Sequence, residues 1–346
     1  MIKDRADLNW SELPFGYIKT DALIRYYFKN GKWSDGELVS TESVELHIAA
    51  TCLHYGQSVF EGLKVHETKD GRVIAFRVDE HAKRLYRSAE KLLMQPVPVE
   101  LFIEAVSECA RANKRFIPPY GTGASLYVRP ILLGISPQIG VKPSDEYMFM
   151  VFVMPVGPYF KTGFKPINLL VVEDIDRAAP FGVGDVKAAG NYAAGLRASK
   201  RAKEMGFTEV LYLDAREKKY IDESGPANFF GITKDNGYVT PESSSILPSI
   251  TNMSLRTIAK DFFDMKVEQR PVHIEEIFDF VEAGCCGTAA VITPVARIRY
   301  RDREVNYCPD GEPGPVCTKL YNTLRGIQLG EIEDRYGWLF EIKLDG

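Results

Sequence analysis

One lysine-bearing stretch constrains this chain more than any other. Residues 181–192 read Phe-Gly-Val-Gly-Asp-Val-Lys-Ala-Ala-Gly-Asn-Tyr, so Lys187 follows a Gly-x-Gly turn and is bracketed by Ala188, Ala189 and Gly190. Small neighbours let a bulky group approach the backbone closely. A helix is predicted over Ala193–Met205, ended by Gly206, and then a strand over Val210–Leu213. The chain returns through Tyr220–Glu223, turns at Gly225-Pro226, and enters a strand over Asn228–Thr233. A lysine that is desolvated and set near other cations loses its proton readily and becomes a nucleophile. The same amine can then carry a proton between two carbons.

Two further groups in this stretch narrow the chemistry. Tyr192 stands five positions beyond Lys187, where its hydroxyl can bond a ring oxygen, and Glu223 opens a strand whose tight turn fixes its side chain. A carboxylate beside a pyridine nitrogen raises that nitrogen's pKa by charge pairing. Lysine, tyrosine and carboxylate in this arrangement are the parts that hold pyridoxal 5'-phosphate, whose protonated ring is an electron sink.

Bulk properties exclude several other classes. At 346 residues the chain has room for two domains, and 45% hydrophobic with 26% charged residues is ordinary for a globular protein. A net charge of -4 gives no electrostatic case for nucleic acid or an anionic membrane surface. The opening Met-Ile-Lys-Asp-Arg-Ala-Asp-Leu lacks a signal-peptide apolar core, and no run approaches the roughly 18 apolar residues of a membrane span. The six cysteines form no CxxC pair and no metal-ligand spacing with histidine, so no metal site is expected and reduced thiols in a cytoplasmic protein are the plain reading.

Along the chain, residues 1–20 read as an irregular lead-in, and Leu23–Trp33 as strand with an Asn30-Gly31 turn signal. Leu46–Val65 suits a loop leading into a strand. A short strand over Val73–Arg77 precedes a helix from Asp79 that groups Arg77, His81 and Arg84, and Val99–Asn113 is a second amphipathic helix. Ser125–Gly134 and the almost wholly apolar Tyr147–Val156 read as buried strands, the first holding Tyr127 and Arg129. Gly157–Pro166 breaks the pattern as an interdomain linker, followed by a strand over Ile167–Val172. Leu247–Thr251 precedes a helix predicted through Phe263, further helices are predicted over Ile274–Val281 and Gly314–Gly330, and Gly284–Pro294 runs from turn to strand. These elements imply two α+β domains, a small one over 1–156 and a larger one over 167–346 carrying Lys187. They do not alternate cleanly enough for a doubly wound sheet.

Taken in order, six segments resemble one family. They are His54–Lys64 (His-Tyr-Gly-Gln-Ser-Val-Phe-Glu-Gly-Leu-Lys), Phe76–Leu85, Leu126–Pro130, the lysine segment, Leu247–Thr251 and Gly287–Ala290. Their order and spacing, over nearly the whole chain, resemble the branched-chain amino acid aminotransferases of the fold-type IV, D-amino acid aminotransferase-like pyridoxal phosphate enzymes. The resemblance implies Lys187 as the Schiff-base lysine and Arg84 as the arginine on the cofactor phosphate. Ile250 and Thr251 would assist at a helix N-terminus, where amides and dipole favour an anion. Thr288 would add a hydroxyl, and Tyr192 and Glu223 would hold the ring.

On the substrate side the resemblance implies that Phe60, Tyr159 and Tyr192 supply apolar walls. Tyr55 and Val141 would reach in from a second subunit, which implies a homodimer or a higher homo-oligomer. Tyr127 and Arg129 would meet the distal carboxylate of glutamate, and Thr288 and Ala289 the α-carboxylate. A buried Arg129 in an apolar strand is otherwise expensive. Lys64 stands where some members carry arginine, Ser249-Ile-Thr-Asn252 replaces a commoner Gly-x-Thr-Arg, and Pro226 replaces a frequent threonine. Ala290–Thr293 occupies the place of the redox CxxC of some members, so no thiol switch is expected there. The implied reaction is a ping-pong amino transfer between L-leucine, L-isoleucine or L-valine and 2-oxoglutarate. A D-amino acid transaminase, an aminodeoxychorismate-type lyase and a cofactor-binding protein without turnover stay open.

Overall fold

The computed structural model describes residues 2, 4–160 and 163–344. The chain forms two compact units: one from residues 1–161, 186–190 and 326–346, the other from 162–185 and 191–325.

The first unit is built on an antiparallel nine-stranded sheet. Its main path runs Leu339–Glu341, Val73–Phe76, Leu63–Glu67, Ser125–Gly134, Tyr147–Val156, Leu23–Lys29 and Lys32–Trp33, with Ser58–Phe60 on Ser125–Gly134 and Glu37–Val39 on Leu23–Lys29. Asn30 and Gly31 both take positive φ, 53° and 78°, the conformation a two-residue hairpin turn requires. Helices Val78–Lys91 and Val99–Ala112 cover the sheet with Val78, Ala82, Leu85 and Ala89 from one and Phe102, Ala105, Val106 and Cys109 from the other. These spacings of three and four put each set on one helical face. Against them pack Leu126 and Val128, whereas Tyr127, between the two, joins a separate cluster with Met154 and Val156. Period-two alternation of a strand therefore sends Tyr127 and Arg129 to the face away from the helices.

The second unit holds a mixed nine-stranded sheet. Strands Ile221–Ser224, Glu209–Leu213, Ile167–Val172, Val291–Tyr300, Glu282–Gly287 and Ala227–Ile232 follow one another, and the last pairs back onto the first, closing a six-stranded ring. Gly237–Pro241, Lys266–Arg270 and Arg303–Asn306 extend it. Helix Ala189–Glu204 buries Ala198 and Ala202 against Leu170, Val172, Val210 and Tyr212. Helix Ile250–Phe263 begins at Ser249, whose hydroxyl accepts the Asn252 N–H at 3.2 Å, the bond expected of an N-cap serine.

Several expectations change. Val186–Gly190, with Lys187, and the chain from Gly326 onward group with the first unit rather than with 167–346. The reasons are local: Val186 and Ala188 are buried in the first unit's core, and Leu339–Glu341 pairs with Val73–Phe76. Lys161 and Thr162 of the expected linker lie outside the described residues. The helix after Lys187 starts at Ala189, four residues earlier than Ala193. The helix expected over Ile274–Val281 is only a 3-10 turn, Ile274–Phe278, because Val281 donates its N–H to Ile232 and leaves helical geometry. Gly284–Pro294 is a hairpin of two strands rather than turn then strand. Gly284 belongs in a strand here because a Cβ would stand 2.4 Å from the Phe230 ring. Leu46–Val65 adds a short helix, Thr51–His54, to the expected loop.

Candidate active site

Lys187 is clamped by its backbone. Its N–H donates to Ser88 Oγ at 3.2 Å, its carbonyl accepts the Phe60 N–H at 3.1 Å, and Ala188 bridges Val59. Val186 and Ala188 point into the apolar core, so the extended alternation turns the half-buried Lys187 side chain the other way.

Helix Val78–Lys91 supplies the groups around it. His81, Arg84 and Ser88 stand at i, i+3 and i+7 and form one buried stripe, 1%, 5% and 2% exposed. Opposite lies Glu61, wholly buried in the link between strands Ser58–Phe60 and Leu63–Glu67. Arg84 Nε donates to Glu61 Oε1 at 2.6 Å and Nη2 to Oε2 at 2.9 Å, while His81 Nδ1 lies 2.7 Å from Oε2. The Gly62 N–H reaches the same oxygen at 3.2 Å.

Burial and charge set the protonation states. Burial, then the Arg84 charge, push the Lys187 ammonium down to about 8, against the opposing pull of Glu61. Burial works to raise the Glu61 pKa, but the Arg84 charge and the hydrogen bonds from Arg84 and His81 outweigh it and hold the carboxyl far below its usual range. Burial also lowers His81, so the imidazole is neutral and donates through Nδ1.

The aromatic residues of this unit gather near the amine. Lys187 Nζ sits 4.9 Å from the Phe60 ring centre, and the Arg129 guanidinium 4.8 Å from the same ring. Arg129 Nη2 donates to the Tyr127 hydroxyl at 3.0 Å. Arg129 is half-buried, not buried as its apolar strand suggested, because alternation places it on the strand's other face. Lys64 is paired directly opposite Tyr127, which puts the two on one face. Gly62 is required here: a Cβ would stand 2.0 Å from the Tyr127 hydroxyl. Phe15, from the irregular lead-in, meets Tyr127 and Tyr159 edge-on at 5.2 and 5.0 Å. Tyr55 and Val141 form a separate place. The Tyr55 hydroxyl donates to the Ile139 carbonyl, and Tyr55, Ile139 and Val141 are all exposed.

In the second unit, Glu223 and the helix N-terminus carrying Ile250 and Thr251 are tied together through Asn228 and Leu247. Glu223 pairs with Asn228, and Asn228 with Cys286, so the three form a row across neighbouring strands. Two residues past Cys286 the hairpin turn carries the half-buried Thr288 and Ala289. Asn228 Nδ2 donates to the Leu247 carbonyl at 3.1 Å and its Oδ1 accepts from Asn252 at 3.1 Å, while the Leu247 N–H donates to Glu223 Oε1. The helix N-terminus with Ile250 and Thr251 is thereby tied to the buried Glu223. Half-buried Arg177 lies 3.5 Å from Asp222 and 3.6 Å from Glu223. Tyr192 is half-buried in the first turn of the helix that starts two residues after Lys187.

Residues 58–298 match the family described as Amino-transferase class IV. The branched-chain-amino-acid aminotransferase of Haemophilus influenzae is 47% identical over 342 residues, 97% of this chain and 99% of that one. That of Helicobacter pylori is 46% identical over 97% and 98%. The crystal structure of the Escherichia coli branched-chain amino acid aminotransferase aligns with a TM-score of 0.79 at 29% identity, covering 94% of this chain and 100% of that one. This chain belongs to the class IV aminotransferases.

Its residues fit the cofactor of that family, pyridoxal 5'-phosphate. The Lys187 pKa is depressed by its surroundings, Arg84 is a buried guanidinium oriented by Glu61, and Glu223 is a buried carboxylate beside a helix N-terminus. Among the described residues no cluster suits a metal ion, and no helix is long and apolar enough to cross a membrane. Sequence reasoning passed over Glu61, His81, Ser88, Phe15, Arg177 and Asn228 as site residues. Glu61 carried a usable signal, a glutamate between the apolar pair Val59-Phe60 and Gly62-Leu63. The others are recognisable only from their partners.

Proposed function

We propose that this class IV aminotransferase transfers amino groups between L-leucine, L-isoleucine or L-valine and 2-oxoglutarate, with Lys187 as the catalytic amine. The observation that carries the reading is the backbone-clamped Lys187, held near neutral pKa beside the Glu61–Arg84 pair. Pyridoxal phosphate supplies the electron sink when bound. Lys187 Nζ, unprotonated at moderately alkaline pH, would be the base that takes the proton from the substrate Cα and holds it for return. Arg84, the Ile250 and Thr251 amides and the Thr288 hydroxyl would hold the phosphate. Glu223 would keep a proton on the ring nitrogen, and Tyr192 would bond the ring oxygen.

Substrate selection needs an apolar wall that also receives a carboxylate. Phe60, Tyr159 and Tyr192 line the aliphatic side chain, with Lys64 beside Tyr127. The Tyr127 hydroxyl and Arg129 are already hydrogen-bonded to each other and can receive the glutamate γ-carboxylate. Thr288 and Ala289 meet the α-carboxylate at the hairpin turn. The exposed Tyr55 and Val141 complete the site of a second copy, which makes the protein a homodimer or a higher homo-oligomer. All six cysteines are free thiols, which supports a cytoplasmic location.

The deciding experiment is the visible absorbance of the purified protein beside Lys187→Ala. A cofactor band that shifts on L-leucine and returns with 2-oxoglutarate, both absent in the variant, is the expected result. A band indifferent to L-leucine, or turnover of D-alanine faster than L-leucine, would overturn the substrate assignment and leave the family standing.

A further inference from the structure

We propose that Glu61, backed by His81, is a positioning residue that orients Arg84 toward the cofactor phosphate. The inference rests on the reading of Arg84 as the phosphate arginine.

The geometry that carries it is a closed cluster. Both Glu61 oxygens are engaged, Oε1 by Arg84 Nε and Oε2 by Arg84 Nη2, His81 Nδ1 and the Gly62 N–H. An arginine has five N–H donors in one plane, and Glu61 takes two along a single edge. That bidentate grip fixes the guanidinium plane. The His81 contact stops the carboxylate from rotating, and His81 and Arg84 share a helix face, so the helix sets their spacing.

Stability alone does not account for the arrangement. A wholly buried ion pair is often no better for stability than apolar residues of the same volume. Its charge, moreover, opposes the proposed ligand: a carboxylate beside an anion site weakens anion binding by Coulomb repulsion. Glu61 is useful there only if orienting Arg84 gains more than its charge loses. The two effects have opposite signs, which makes the proposal testable.

The test compares pyridoxal phosphate with pyridoxal, which lacks the phosphate, as ligands of the full-length protein after cofactor removal. Dissociation constants are measured for wild type, Glu61→Gln, Arg84→Lys and the double variant. Glu61→Gln is expected to weaken pyridoxal phosphate by about 10- to 100-fold, the scale of a lost hydrogen bond to a charged group, with pyridoxal nearly unchanged. The double variant should bind no more weakly than Arg84→Lys, because Glu61 acts through the guanidinium fork. Equal or tighter binding of pyridoxal phosphate by Glu61→Gln would make Glu61 a mere charge neutraliser and overturn the proposal. Equal loss for both ligands, or additive losses in the double variant, would overturn it too. If Glu61→Gln does not fold, His81→Gln carries the test, with a smaller loss confined to the phosphorylated ligand expected and an equal loss for both counting against. Should wild type and Arg84→Lys both fail to distinguish the two ligands, the phosphate reading of Arg84 falls first.

Discussion

Each unit sets an arginine against buried carboxylates, and the two groupings differ in which partner is served. In the first, Arg84 is gripped edge-on by Glu61 at 2.6 and 2.9 Å. In the second, Arg177 approaches Asp222 and Glu223 only to 3.5 and 3.6 Å and donates instead to the Ser245 and Gly184 carbonyls. Asp222 takes its short bonds from the Ser243 and Ser245 hydroxyls at 2.8 Å, and Glu223 from the Leu247 amide. In the first, both carboxylate oxygens close onto the arginine and fix its plane. In the second, a backbone amide holds the carboxylate and the cation stands at longer range. The first arrangement suits holding an anion, the second holding a proton on a ring nitrogen.

That contrast predicts different failures. Glu223→Gln should lower kcat by roughly 10²- to 10³-fold, the scale of one preorganised electrostatic group, with only a small change in cofactor affinity. Steady-state kinetics beside cofactor titration checks this, and a loss mainly of affinity would erase the distinction between the two groupings. Arg177→Met removes a cation that faces two buried carboxylates, and about 3 kcal/mol of stability should go with it. Urea unfolding reads that effect. An unchanged midpoint would mean the serine hydroxyls and the Leu247 amide suffice without the cation.

Lys187 offers a smaller effect with a defined pH window. Its folded pKa of about 8 lies below its ordinary 10.5. Below pH 8 both folded and unfolded chains carry the proton, and the folded state bears the full penalty of burying the charge. Between about 8 and 10.5 the unfolded chain keeps a proton that the folded chain has released, so stability rises with pH across that window. Cofactor-free Lys187→Met should therefore be more stable than wild type at pH 7, by about 2 kcal/mol, with the gap narrowing as pH rises to 10. A gap independent of pH would place the difference in packing rather than in charge.

The helices of the first unit and its long strands were legible because their signals are local. The stripe Leu85, Ala89 and the apolar run of Tyr147–Val156 announce themselves within a few residues. Strands such as Gly237–Pro241 and Lys266–Arg270 were missed because their pattern does not alternate and each is stabilised by pairing with the other across some 25 residues of chain. Lys187 and Glu223 were proposed from residue type and order, and Arg84 from the family resemblance. Glu61 and Arg177 were not, because a buried charge is defined by its partner, and the partner lies at long sequence distance. The grouping of Val186–Gly190 with the first unit escaped for the same reason: it depends on Ser88 and Phe60, far back in the chain.

The smallest effect sharpens the comparison most, because it reads the charge around Lys187 directly. In cofactor-free protein the amine faces Arg84 and Arg129, which lower its pKa, and Glu61 and Tyr127, which raise it. An amine-directed reagent attacks only the unprotonated form, so the pH midpoint of its rate at Lys187 should fall near 8 in wild type. Arg84→Gln removes a cation and should move that midpoint up; Glu61→Gln removes an anion and should move it down. Opposite shifts of similar size would show that Glu61 and Arg84 act on Lys187 as a nearly neutral pair whose charges the amine senses separately. Shifts in the same direction would mean that either substitution collapses the cluster, and the helix stripe of His81, Arg84 and Ser88 would then be a packing element whose charges matter only for holding it together.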